Sequence, residues 1–88
     1  MDSYRYIFST VLHSKLKEKI IGKIFTRITN DDTLFISIIN CDDNEFVMEF
    51  NNISEKILHG WSTDYAVYEV VNKYQKYITN RVMKKYFV

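Results

Sequence analysis

The feature that most limits what this chain can become is a change of hydrophobic period at Ile20. Before it, apolar residues recur at the three-and-four spacing of a helix. From Ile20 to Phe50 they alternate instead, in three runs separated by two polar, acidic segments. A period of two is what a strand with one buried face requires, and "NDDT" and "NCDDN" supply the residue types that tight turns favour. In "IGKIFTRIT", Ile24 and Ile28 share a face opposite Phe25 and Arg27. In "TLFISII", Leu34, Ile36 and Ile38 alternate with Phe35, Ser37 and Ile39. In "EFVMEF", Phe46, Met48 and Phe50 fall on one side. Three short strands joined by two turns predict an antiparallel meander.

Helical patterns flank the meander. Asp2 or Ser3 can cap a first helix over about residues 3–19, whose expected buried stripe is Tyr4, Ile7, Phe8, Val11, Leu12 and Leu16. Lys15, Lys17 and Lys19 gather at its end, where cations suit the helix dipole. "NNISEKILHG" reads as one or two helical turns stopped by Gly60. Ser62, Thr63 or Asp64 then caps a final helix. Its stripe of Val67, Tyr68, Val71, Tyr74, Ile78, Val82 and Tyr86 runs nearly to the C-terminus. The predicted fold class is α+β, in the order α-β-β-β-(short α)-α. The helices pack on one face, the side of Leu34, Ile36, Ile38, Phe46, Met48 and Phe50.

Eighty-eight residues allow a single domain over 1–88. So short a chain buries only roughly 60–65% of its unfolded surface, so its six Phe, seven Tyr and one Trp matter as the residues that bury most area. Proline is absent and no stretch has the composition of a disordered linker. The richness in Ile, Lys, Asn, Tyr and Phe suits AT-rich codons, hence a low-GC genome or one of its viruses. Cys41 is the sole cysteine, which excludes an intrachain disulfide and a cysteine-based zinc site. No segment approaches the run of about 18 apolar residues that a membrane span requires. Arg5, His13 and Lys15 also interrupt the N-terminal apolar pattern. A soluble, cytoplasmic setting without membrane contact is expected.

The net charge of +1 hides a segregation. Both ends of the chain are basic, while residues 30–55 carry Asp31, Asp32, Asp42, Asp43, Glu45, Glu49 and Glu55 without one Lys or Arg. His13 and His59 are too far apart in the chain to share a metal-ligand spacing, and nucleophile-elbow, phosphate-loop and zinc-protease patterns are absent. Carboxylates in hairpin turns stay hydrated, whereas catalytic acids need a shaped cleft. The turn acids also lack the spacing of a calcium loop. A non-enzymatic protein with no cofactor and no metal is expected.

Three surfaces remain as binding candidates. The first is the acidic pair of turns, Asp31, Asp32, Asp42, Asp43, Asn44 and Glu45. The second is the outer sheet face, where Phe25, Phe35, Ile39 and Val47 have no evident cover and suit a protein interface, a homodimer included. The third is the final helix, where Lys73, Lys76, Arg81, Lys84 and Lys85 surround Tyr77 and could track phosphates. The element order resembles that of the double-stranded-RNA-binding domain. Yet "STDYAVYE" stands where that family opens its last helix with lysines, so nucleic acid is the lesser alternative.

Two motifs carry a further resemblance. Asn40, Asp42, Asn44, Glu45, Phe46 and Val47 match an Asn-x-Asp-x-Asn-Glu-aromatic-Val turn and strand. Gly60, Trp61, Asp64 and Tyr65 match a Gly-Trp-x-x-acid-Tyr helix entry. Over about residues 34–78 the chain resembles the small phage-encoded anti-CRISPR proteins that inhibit Cas9. It departs from them after Trp61, where "AVYEVVNKYQK" replaces an acidic stretch. The resemblance implies a phage or prophage inhibitor acting in the cytoplasm of a bacterial host, with a host defence protein such as Cas9 as partner. Its acidic loops would imitate DNA before arginines that read the PAM.

Overall fold

The computed structural model describes residues 3–80 and 86–88. The period-two stretch forms three strands, Lys23–Ile28 (β1), Leu34–Ile39 (β2) and Glu45–Phe50 (β3). A helix over Ser3–Lys19 (α1) precedes them, and Ile53–Leu58 (α2) and Thr63–Thr79 (α3) follow. The sheet order is β1-β2-β3, and both pairings are antiparallel. Register aligns the core-facing residues in rows: Ile24–Ile38–Phe46, Thr26–Ile36–Met48 and Ile28–Leu34–Phe50. Leu34, Ile36 and Ile38 are fully buried beneath the helices, as the alternation predicts.

On α1 the buried line is Phe8, Leu12 and Leu16, with Ser9 beside it, while Tyr4, Ile7 and Val11 are exposed. The expected stripe was too wide. The contact follows a narrow line that begins at Arg5, a residue apolar periodicity cannot count, whose guanidinium reaches the β1–β2 turn. Ser3 is itself helical, and Asp2 lies outside the described residues.

Where α2 ends, Trp61 N–H donates to the Lys56 carbonyl and Gly60 N–H to that of Ile57, the paired bonds of a Schellman stop. Gly60 takes the positive φ of 97° this requires. Trp61 is then carried into the core, its ring 4.8 Å from Phe8 and 4.9 Å from Phe50, with Nε1 donating to Glu69 at 3.0 Å. Ser62 caps α3 by accepting from Tyr65 N–H at 3.1 Å.

The α3 stripe also differs from expectation. Val70 is fully buried and Tyr68 is exposed, because α3 turns Ala66, Val67, Val70, Tyr74 and Ile78 to the core. Val82 lies outside the described residues. Tyr86, beyond the end of α3 at Thr79, is buried as expected. Phe87 forms an antiparallel bridge with Ile20, and Ile21 N–H donates to the Tyr86 carbonyl at 3.1 Å. The chain's last residues therefore pair with the α1–β1 joint. At that joint Gly22 has φ 147°, and a Cβ there would stand 2.7 Å from the Ile39 carbonyl oxygen.

Candidate functional site

The β1–β2 turn closes through Thr29 N–H to the Thr33 carbonyl, 2.9 Å, and Asp32 N–H to the Thr29 carbonyl, 3.1 Å. Asp31 is exposed and accepts from the Thr29 hydroxyl. Asp32 takes a left-handed conformation, φ 66°, and faces inward. Its Oδ1 accepts from Arg5 at 2.6 Å and from the Ser54 hydroxyl at 2.9 Å, and its Oδ2 accepts from Ser54 N–H at 2.9 Å. Its own carbonyl receives Ile53 N–H at 3.1 Å. Asn52, which precedes α2, makes no side-chain cap, so the distant Asp32 satisfies the first amides of that helix instead. Burial acts to raise the Asp32 pKa. The Ser54 amide, Arg5 and the Ser54 hydroxyl outweigh it and hold the carboxyl below its ordinary value.

The β2–β3 turn is built differently. Asn40 is buried, and its Oδ1 accepts from Asp42 N–H at 2.9 Å and Asn44 N–H at 3.1 Å. Backbone bonds from Asn40 N–H to Asn44 and from Asp43 N–H to Asn40, 3.1 and 3.0 Å, close the loop around that side chain. Asp43 has φ 61°. One amide thus collects the turn's donors in an Asx arrangement. Its root lies beside Tyr74, whose hydroxyl burial pushes above its ordinary pKa against a smaller opposing effect of Asn40. Cys41, Asp42 and Asp43 project outward, and neither aspartate joins an ion pair among the described residues.

Glu45 does not belong to the tip. Its carboxylate accepts from the Ser37 hydroxyl at 2.7 Å and so lies along the outer sheet face. That face has its own rows: Lys23–Ile39–Glu45, Phe25–Ser37–Val47 and Arg27–Phe35–Glu49. Phe25 and Val47 are exposed, at 54% and 53%, while Phe35 and Ile39 are half-buried. The Arg27 guanidinium lies 5.0 Å from the Phe35 ring centre. No described helix covers this side.

The final helix offers Lys73 and Lys76, both exposed. Arg81, Lys84 and Lys85 lie outside the described residues. Tyr77 is packed rather than free to stack on a base: its ring lies 5.1 Å from Phe46 and 6.2 Å from Tyr74, and its hydroxyl donates to the Glu45 carbonyl at 3.3 Å. The Gly60-Trp61 motif is a joint in the fold. Its acid, Asp64, pairs with Lys15 at 2.6 Å, which holds the Asp64 carboxyl below its ordinary pKa. Tyr65 remains exposed, its ring stacked near Tyr68.

In the sequence Asp31, Asp32, Asp42, Asp43, Asn44 and Glu45 read as one acidic surface. The structure sets Asp32 apart, and its signal was Arg5, a lone base within an apolar helix face. No group of three or more metal-ligating side chains forms among the described residues, and no helix among them is long and apolar enough to cross a membrane. Comparison with family models, curated proteins and solved structures returned no match.

Proposed function

We propose that this chain is a non-enzymatic phage- or prophage-type inhibitor that binds a basic, nucleic-acid-handling host effector in the bacterial cytoplasm. A Cas9-like defence protein is the partner the motif resemblance favours. The observation that carries the reading is the Asn40-centred tip, which holds Asp42 and Asp43 outward with no ion pair to another described residue.

An arginine fork that normally grips guanine acceptors can take a carboxylate in charge-assisted, two-point hydrogen bonds. A tip fixed before binding loses little entropy on docking, so more of that interaction appears as affinity. Asp31 is exposed and stands as an accessory contact. Asp32 is committed to Arg5 and Ser54 and contributes fold instead.

Competition between this protein and a PAM-bearing duplex for a Cas9-type effector tests the reading. The natural chain is expected to displace the duplex. Asp42→Lys combined with Asp43→Lys should weaken that competition by about 100-fold or more, as loss of a buried charge partner does elsewhere. Undiminished competition by the reversed variant would end the decoy proposal.

A further inference from the structure

The outer sheet face carries an order of charges that its apolar centre alone does not reveal. Lys23 and Arg27 stand on β1, Glu45 and Glu49 on β3, and Ile39 and Phe35 between them on β2. All four charged residues are exposed. The face is therefore positive along one edge, negative along the other and apolar down the middle. Turning a copy about an axis parallel to β2 and stacking it face to face exchanges the two edges. Lys23 then meets Glu45 of the second copy and Arg27 meets its Glu49, each twice. Phe35 meets Phe35, Ile39 meets Ile39, and Phe25 meets Val47. The alternative two-fold, across the strands, would set Lys23 on Arg27 and Glu45 on Glu49, joining like charges. Only the first axis is complementary.

We infer that this face docks a second copy of the chain, with the symmetry axis running along β2. Stacked sheets pack about 10 Å apart and within about 30° of alignment, which keeps these pairings within side-chain reach. Two internal contacts already hold charged groups over the face, Arg27 on the Phe35 ring and Ser37 on Glu45. Three strands about 4.8 Å apart and six residues long present a face of about 14 by 20 Å. Two such faces together cover about 560 Å², well below a permanent interface, so the dimer is weak and concentration-dependent. The contact is independent of the Asp42/Asp43 tip and stands or falls separately from the inhibitor reading.

Sedimentation equilibrium over a wide concentration range tests the inference on the natural chain and four variants. Arg27→Glu alone, or Glu49→Lys alone, should weaken association roughly 10- to 30-fold, because each variant reverses two pairings. Mixing those two variants should restore dimers, now heteromeric, since each reversed charge meets an opposite partner. Lys23→Glu and Glu45→Lys, alone and mixed, repeat the test at the other end of the face, and circular dichroism checks that each variant is folded. A natural chain that stays monomeric at millimolar concentration overturns the inference. So does a dimer indifferent to the single reversals, or a mixture that fails to associate.

Discussion

Asp32 and Asp43 occupy the same kind of place, an acidic hairpin turn, in the same left-handed backbone conformation (φ 66° and 61°). Their surroundings give them different work. Over the β1–β2 turn, α1 brings Arg5 and α2 brings Ser54, and Asp32 becomes the knot that ties two helices to the sheet. Over the β2–β3 turn no described helix comes close enough to claim the carboxylates. The loop closes on Asn40 and leaves Asp42 and Asp43 in water. A carboxylate's role here is decided by what packs over it, not by the turn that bears it.

The sharpest way to break this contrast is to remove the knot. Asp32→Ala strips acceptors from Ser54 and from Arg5, whose side chain is only 18% exposed, and should cost about 2–3 kcal/mol in urea unfolding. Asn40→Ala takes the shared acceptor from two amides of the other turn. With water able to reach that turn, the expected cost is about 1–2 kcal/mol, and on the inhibitor proposal competition for a basic partner weakens with it.

The contrast also has an acid limb. Because the folded Asp32 pKa lies below 3.8, its contribution is present above that value and is lost as pH falls through the folded pKa. The stability gap between the natural chain and Asp32→Asn should therefore narrow in that acid range. A gap that stays constant with pH would show that Asp32 gains nothing from its charge. The smallest effect belongs to the exposed tip: Asp42→Lys with Asp43→Lys should move stability by no more than about 0.5 kcal/mol. A larger loss would mean that the tip, like the other turn, serves the fold.

The strands were legible because their signal is local and strict. Leu34, Ile36 and Ile38 can face only one way once the pleat is set, and the register with β1 and β3 follows from the turn lengths. Helix faces were less legible. Tyr4, Ile7 and Val11 satisfy the helical period as well as Phe8, Leu12 and Leu16 do, and only the neighbours β1 and α3 decide which line is covered. The same limit applies to the candidate site. "NDDT" and "NCDDN" look alike as strings, and the difference lies in Arg5 and Ser54, 27 and 22 residues away from Asp32. The charge order of the outer face was present in the sequence. It became readable only when register placed Lys23 level with Glu45 and Arg27 level with Glu49.

Gly22 links these regions. The only thing missing at that position is a side chain, and the oxygen that would obstruct one belongs to Ile39, the residue just before Asn40. The hinge where helix gives way to sheet and the stem of the outward aspartates thus share one narrow gap. A methyl group introduced there would press on both at once, so a Gly22→Ala change reaches the root of the first helix and the stem of the charged tip together.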